Sequence, residues 1–538
     1  MIQSSFDNYD KNGNRTSMTD PTGTTYYGWD VLNRIGTITN PKGQRVEFAY
    51  DELSRRTLLK YPNGVETSYV YDGASQLLTL KHLNSSTLEP LSEFTYTYNK
   101  VGLRTSMTDF IKHNDGTSDG GLHEYGYDNI NRLLSAVHPQ QPFNPNETFT
   151  YDEVGNRLSD IFNPPPSYTY DNANRITQDA HHIYEFDANG NIIRRTTQDT
   201  GLRTLYTYDA ENQLTRIDFP DGTWATYRYD GLGRRFEKNV NGTITRYVYD
   251  NEDILLEYDG ANNLQARYTH GLGIDEPLIM ERGNTSYFYG ADGLGSISQL
   301  TDVSGNVVNS YIYNSFGKIV KQTGTIANPY TYTGREFDSE SGLYYYRARY
   351  YDAVSGRFLT EDELFLDAVN LYIYVDNDPL NMVDPLGFIE IEYILKPLSD
   401  FSAGVGDVIS FGGTRWVRQQ LGTEYVVDTC SGWYTAGEWT GVAWWTIFGT
   451  TTMLKPFTGS VQTITHWNTT TNIATGTISP GSWVMTGGQT LRNFWFAGIP
   501  FKYAYRNAIT TVVTGSALKY PSGLAWIKGL LGQRIYMP

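Results

Sequence analysis

Residues 222–250, GTWATYRYDGLGRRFEKNVNGTITRYVYD, decide the fold of this 538-residue chain. TYRYD alternates in polarity, so one face of an extended segment is aromatic. The Asp that follows the Tyr, with Gly or Asn after it, is typical of a tight turn, because Asp bonds to nearby backbone N–H groups and Gly tolerates positive φ. The segment RRFEKNV predicts the returning strand. The stretch therefore predicts antiparallel hairpins.

The same unit recurs about every 20 residues from the N-terminus to residue 250. Well-kept copies are Tyr50-Asp51, Tyr71-Asp72, Tyr127-Asp128, Tyr151-Asp152, Tyr170-Asp171, Tyr208-Asp209, Tyr229-Asp230 and Tyr249-Asp250. One hairpin is marginal alone, whereas stacked hairpins bury a continuous stripe of Tyr and apolar side chains. We therefore expect a mainly β fold over residues 1–330, a long antiparallel sheet that its twist makes spiral or close.

Two functional alternatives stand beside this structural role of the repeat. Tyr-Asp pairs could bind carbohydrate, and the loop at residues 187–191 could bind calcium. The closing Glu of a full calcium loop is missing, and Gly293-Leu294-Gly295 lacks the strand–helix context of a nucleotide loop. The pattern favours structural roles, and we predict no metal and no cofactor.

Charge and composition change at residue 387. Residues 1–387 carry a net charge of −20, residues 388–538 carry +3, and no acidic residue follows Glu438. This sorting is either chance or a sign that the basic tail docks on an anionic surface, the acidic body itself or nucleic acid. The only cysteine, Cys430, excludes a disulfide framework.

The N-terminal sequence MIQSSFDNYDKNGN has neither the basic nor the apolar region of a signal peptide. It lies within the repeat pattern, which favours a truncated gene or delivery by another component. The most apolar window, residues 441–454, is too short to cross a bilayer, so we predict no membrane span.

The repeat, the stretch YFYGADGLGSISQLTDVSGNVV (287–308) and the block 331–387 together resemble the Rhs/YD-repeat family. That family includes bacterial rearrangement-hotspot toxins, the C subunits of insecticidal Tc complexes and teneurins. The resemblance covers roughly residues 1–387. It implies a hollow β-cocoon that encloses the C-terminal segment of its own chain.

The resemblance also implies a biological role. Rhs-type polymorphic toxins are secreted or delivered at the cell surface for interbacterial competition or host attack, and their effector acts in the target cell. The implied partners are an immunity protein and a delivery component, either a secretion system or a Tc-like B subunit.

Asp362 and Asp384 are the candidate catalytic pair. If the intervening segment NLYIYV (370–375) returns as an antiparallel strand, the two carboxylates can meet. Carboxylates in contact share a proton, so one can act as base on water and the other as acid on a peptide.

The resemblance implies the same chemistry, because self-cleaving Rhs proteins use the Asp of two DPxG motifs with an upstream Arg. By position that Arg is Arg349, with Arg357 as a second candidate, and cleavage falls at Gly387-Phe388. The second motif (residues 384–387, DPLG) matches fully, whereas the first (residues 362–365, DELF) keeps only the Asp.

The tail predicts a small α+β effector. Residues 388–450 are partly helical in pattern, and residues 451–538 favour strands. His466, with basic residues around it, could serve RNA cleavage as acid or base. Its setting Thr465-His466-Trp467 also resembles the first motif of ADP-ribosyltransferases, although their catalytic Glu is absent here. A packed structural His is the remaining alternative.

The organisation predicted is thus a YD-repeat shell (1–330), an Rhs-associated core (331–387), a pre-toxin segment (388–450) and a basic effector (451–538). Two rival interpretations of the whole chain remain. One is a YD-repeat surface protein that only binds, and the other is an inactive truncated Rhs remnant.

Overall fold

The structure is a computed structural model that describes residues 6–139, 142–160, 168–363 and 370–388. Within these residues the chain is almost entirely β, which confirms the predicted fold class. The predicted α+β tail, His466 and Cys430 lie outside the described residues.

The first long sheet has thirteen strands, each antiparallel to its neighbour in sequence. They are β1 (Phe6–Tyr9), β2 (Arg15–Asp20), β3 (Gly23–Trp29), β4 (Ile35–Thr39), β5 (Arg45–Tyr50), β6 (Arg56–Lys60), β7 (Val65–Tyr71), β8 (Leu77–Asn84), β9 (Glu89–Tyr98), β10 (Arg104–Lys112), β11 (Ser118–Tyr127), β12 (Leu133–Val137) and β13 (Glu147–Thr148). A short hairpin follows, made of β14 (Thr150–Tyr151) and β15 (Arg157–Ser159).

The second long sheet has sixteen strands in the same sequential order. They are β16 (Thr169–Tyr170), β17 (Ile176–Gln178), β18 (His182–Phe186), β19 (Ile192–Thr197), β20 (Arg203–Tyr208), β21 (Leu214–Asp218), β22 (Trp224–Tyr229), β23 (Arg235–Val240), β24 (Thr243–Asp250), β25 (Asp253–Asp259), β26 (Leu264–His270), β27 (Pro277–Arg282), β28 (Thr285–Ala291), β29 (Ile297–Thr301), β30 (Val307–Tyr313) and β31 (Ile319–Thr323).

A four-stranded sheet follows the second long sheet. It consists of β32 (Glu336–Asp338), β33 (Leu343–Tyr346), β34 (Arg349–Asp352) and β35 (Arg357–Phe358), and 3₁₀ turns lie at Tyr332–Gly334 and Val375–Asn377. Every residue of β33, β34 and β35 is buried. Leu343, Tyr345 and Tyr350 pack into one hydrophobic cluster with residues of the second long sheet. The Rhs-associated core (331–387), which we call the joint, therefore packs against the second long sheet.

Most repeat turns are built on an aspartate, and Asn takes its place in a few, for example at Asn99. Asp30 Oδ1 accepts the backbone N–H groups of Leu32 and Arg34 at 2.8 and 2.9 Å, and Oδ2 accepts Arg34 Nε at 2.7 Å. Arg34 also donates to the backbone carbonyl of Asp51, in the next turn. The neighbouring unit repeats these bonds, which explains the Asp and Arg of the motif.

The tyrosine of the motif has a structural role of its own. Tyr50 Oη donates to Ile35 O at 2.9 Å, and the Tyr50 ring lies 4.8 Å from the Arg34 guanidinium. Tyr71 repeats this bond toward Arg56 O. The tyrosine hydroxyl therefore bonds one strand to the preceding one, which phenylalanine cannot do. These contacts support the structural interpretation of the Tyr-Asp pairs.

The two long sheets meet along their length and in the same order. Arg15 pairs with Asp250 at 2.6 Å, and Tyr61 Oη donates to Tyr289 O at 2.8 Å. Further along, Glu147 accepts the N–H of Ser315 at 2.9 Å. Apolar side chains of both sheets share one core, with Ile38, Val46, Leu59, Leu278, Ile279 and Phe288 among its members. The second long sheet thus packs on the first, which agrees with the predicted spiral of the antiparallel strands.

Candidate active site

The hairpin of β33 and β34 positions the arginine of the site. Its two-residue turn, Arg347 and Ala348, places Arg349 first on β34, opposite Tyr346. The Arg349 guanidinium stacks on the Phe358 ring at 3.6 Å and is buried. A charge held this far from water needs anionic or carbonyl partners.

Two aspartates provide those partners. Arg349 Nη2 lies 2.9 Å from Asp362 Oδ2 and 3.5 Å from Asp384 Oδ2. Asp362 is 0% exposed and Asp384 is 4% exposed. One guanidinium nitrogen therefore lies close to two buried carboxylates, so the structure brings the two predicted aspartates to the same arginine.

The return of the chain between the two aspartates differs from the prediction. The predicted strand over residues 370–375 is wrong, because this segment makes only an isolated antiparallel bridge between Arg357 and Ile373 and then enters a 3₁₀ turn. Backbone bonds still hold it alongside, since Asp362 N donates to Leu371 O at 3.0 Å. Arg349 Nη1 donates to the same carbonyl at 2.9 Å. Asp362 is thus anchored although its motif lacks Pro and Gly.

The peptide bond between Gly387 and Phe388 lies directly on this cluster. Arg349 Nε donates to Gly387 O at 2.5 Å. Phe388 N donates to Asp384 Oδ1 at 2.9 Å. Both polar atoms of the predicted scissile peptide are therefore bonded to members of the cluster.

Burial changes the protonation of the cluster. Desolvation raises the pKa of Asp384 from 3.8 to about 7, and the charge of Asp362 adds to that rise, while Arg349 and the Phe388 N–H act in the opposite direction. Desolvation also lowers the pKa of Arg349, against the pull of the two carboxylates. Near neutral pH, Asp384 is therefore poised between its acid and its base form.

Glycine is the only residue type that fits at position 387. Its φ is +70°, in the left-handed region. A Cβ here would lie 2.3 Å from Tyr346 O, and backbone cannot move aside cheaply. The glycine of the motif is thus required by contact with the hairpin.

The second candidate arginine, Arg357, does not reach the carboxylates. It donates to Asn156 Oδ1 at 3.1 Å and to Asn174 O at 2.6 Å, and it lies over the rings of Tyr170 and Tyr372. It therefore ties the joint to the repeat array. Sequence reasoning missed Arg347, which contacts the segment next to the scissile peptide, although the alternation of Tyr and Arg in residues 344–351 contains it.

These features define a class of protein, a YD-repeat β-shell with a buried Asp–Arg–Asp cluster beside its last strands. The chain belongs to the teneurin YD-shell family, whose model matches residues 92–380, and an RHS repeat model matches residues 9–45. The resemblance identified from the sequence is thereby confirmed.

The similar proteins include a nuclease and toxins. The chain is 33% identical over 279 residues to the tRNA nuclease WapA of Bacillus subtilis, covering 48% of this chain and 12% of WapA. It is 30% identical over 256 residues to the toxin protein Tse5 of Pseudomonas aeruginosa, covering 40% of this chain and 19% of Tse5. The chain thus spans between about an eighth and a fifth of the length of these relatives.

The fold matches that of solved toxin shells. The crystal structure of TcdB2-TccC3 superposes with a TM-score of 0.59 at 21% identity, over 71% of this chain and 22% of that one. At this identity the match concerns the fold. Among the residues that the structure describes, no helix has both the length and the apolar character that a membrane crossing requires.

Proposed function

We propose that this chain is an Rhs-type toxin whose shell carries an intramolecular aspartyl protease. It cuts its own chain between Gly387 and Phe388 and so separates the C-terminal effector. The observation that carries the proposal is the guanidinium of Arg349, which contacts both aspartates and the carbonyl of the bond to be cut. Toxin relatives support the biological setting.

The roles of the two aspartates follow from their contacts. Asp362 makes the shorter ion pair with Arg349, which suits the role of the base that takes a proton from water. The resulting hydroxide attacks the carbonyl carbon of Gly387. Arg349 Nε stabilises the negative charge that develops on the carbonyl oxygen, as an oxyanion-hole donor does.

Asp384 completes the reaction as the acid. Its carboxyl lies at the leaving nitrogen, 2.9 Å from Phe388 N, and the raised pKa keeps a large share of it protonated at neutral pH. It gives its proton to that nitrogen as the C–N bond breaks. The products are a carboxylate at Gly387 and an amine at Phe388, so one water is consumed.

The effector released in this way comprises residues 388–538. We propose that it acts in a target cell on an anionic molecule, with His466 as the candidate acid or base of an RNase-like or ADP-ribosyltransferase-like activity. An immunity protein in the producing cell and a delivery component, a secretion system or a Tc-like B subunit, are the partners that this function requires.

A denaturing gel of the purified chain tests the protease. Wild type is expected to run as pieces of 387 and 151 residues, and Asp384→Asn as one chain. Asp376→Asn is the matched control, because Asp376 is an exposed aspartate of the same joint at φ 53°, a conformation that Asn tolerates well. Cleavage that survives in Asp384→Asn, or a wild-type chain that stays whole, would refute the proposal.

A further inference from the structure

The hairpin turn before β34 holds the segment that precedes the scissile bond by its main chain. Arg347 Nη1 donates to Pro385 O, Ala348 N donates to Leu386 O at 3.2 Å, and Arg349 Nε donates to Gly387 O at 2.5 Å. Three consecutive residues thus bond three consecutive carbonyls. We call residues 347–349 the carbonyl clamp.

Arg347 is the part of the clamp that is fixed to the shell. Its Nη2 and Nη1 donate to the two oxygens of Asp275 at 2.7 and 3.1 Å. Its Nε and Nη2 donate to the backbone carbonyl of Glu252, in the turn between β24 and β25, at 3.3 and 3.1 Å. With the bond to Pro385 O, all the nitrogens of the guanidinium are engaged, a fork geometry that lysine cannot reproduce.

The backbone of Arg347 indicates that the side chain is needed for more than the turn. Its φ is +61°, in a region that non-glycine residues seldom adopt. Two-residue hairpin turns favour Asn and Gly at such positions. An arginine in this conformation is kept where other contacts over-determine it, which is common at functional sites.

We propose that Arg347, anchored by Asp275, positions the segment 385–387 so that the carbonyl of Gly387 lies on Arg349. This inference rests on the proposed self-cleavage, and it adds which chain segment the site recognises. The site then recognises an extended main chain through its carbonyls, with glycine directly before the cut because Tyr346 O leaves no room for a Cβ. Arg347 is a positioning residue, since it contacts the segment and not the reacting bond.

Arg347→Gly is the informative variant. It removes the guanidinium and at the same time suits the positive φ, so the hairpin turn itself is not strained. Loss of alignment at a reacting carbonyl lowers a rate by about 10- to 100-fold. We expect the cleavage rate constant to fall by that factor at every pH, while the pH at which the rate declines stays that of wild type, because Arg347 does not touch either aspartate of the site.

Hydrogen exchange provides a second measurement that does not need cleavage. In the Asp384→Asn background, we expect the amides of Leu386, Gly387 and Phe388 to exchange at least about tenfold faster with Arg347→Gly than without it, because the Pro385 carbonyl is released. Arg34→Met, which removes an arginine from a distant repeat turn, is the control and should change neither readout.

The outcomes separate the two proposals. If wild type is cut and Arg347→Gly is cut equally fast, or slowly without faster amide exchange at residues 386–388, the positioning role is refuted and the protease stands. If wild type stays whole, the protease fails, and the exchange measurement alone decides whether Arg347 holds the segment. A shift of the pH profile in Arg347→Gly would also overturn the inference, since it would place Arg347 within the proton-transfer machinery.

Discussion

Self-cleavage should be fastest in mildly acidic to neutral solution and slow in alkali. The perturbation is pH, and the group that responds is Asp384, whose pKa burial raises to about 7. If this carboxyl is the acid, only its protonated form supports bond breaking. The rate constant should be nearly constant in mildly acidic solution and should fall tenfold for each pH unit above 7, to about one hundredth at pH 9.

The same shift has a consequence for stability, with a defined sign. The folded pKa of Asp384 lies above its ordinary value of 3.8, so between about pH 4 and pH 7 the folded chain binds more protons than the unfolded chain. Stability from this group is therefore complete below pH 4 and is lost as pH rises through 7. About three units correspond to ~4 kcal/mol. Asp384→Asn, which is neutral throughout, should lack this loss.

A refolding assay measures the rate. The chain is isolated whole and unfolded from inclusion bodies in denaturant, before it can cut itself. It is then diluted into buffers across the pH range, quenched at intervals and separated on a denaturing gel. Asp384→Asn, followed by tryptophan fluorescence, gives the folding rate at each pH, so that slow folding is not mistaken for slow chemistry. A rate that stays constant or rises between pH 7 and pH 9 would refute the assignment of Asp384 as the acid.

Further predictions concern the neighbouring residues. Gly387→Ala should reduce cleavage at least about 100-fold while the shell still folds, because the added Cβ would clash with Tyr346 O. Normal cleavage on the gel would contradict this contact. Asp362→Asn should abolish cleavage at every pH, and residual activity with an unchanged profile would remove it from the base role. Arg235→Met should lower the free energy of unfolding of the shell by about 3–5 kcal/mol, measured by denaturant titration, because it removes a buried guanidinium that pairs with both Glu336 and Asp338 of β32. A change under about 1 kcal/mol would be inconsistent with these ion pairs. Residues 388–538 expressed in bacteria should slow growth, and normal growth would favour a binding protein or a remnant.

The shell was predictable because its contacts are local. A hairpin turn fixes its own Asp, Gly or Asn and Arg within a few residues, so the same letters recur wherever the turn recurs. Asp30 with Arg34, and Asp51 with Arg55, form the same bonds in their respective turns. Periodicity therefore predicts both the strands and their order.

The site was predictable only in part. Asp362, Asp384 and Arg349 lie close in sequence, and one return of the chain brings them together. The regular strand expected at 370–375 did not form, because this segment bonds through a bridge and a 3₁₀ turn instead. The anchoring of Arg347 by Asp275 depends on how the folded shell brings together residues 72 positions apart, which no local pattern encodes.

The hydrogen bond from Arg349 Nε to Gly387 O also affects what the site binds after the peptide is cut. Once the peptide is hydrolysed, the oxygen that Arg349 holds belongs to a carboxylate, and a charged acceptor binds a guanidinium more strongly than a neutral carbonyl does. The new C-terminus would stay where it was made, bound to Arg349 beside the two aspartates. Such an arrangement describes a single-turnover device that is blocked by its own product, and it would leave neighbouring proteins uncut.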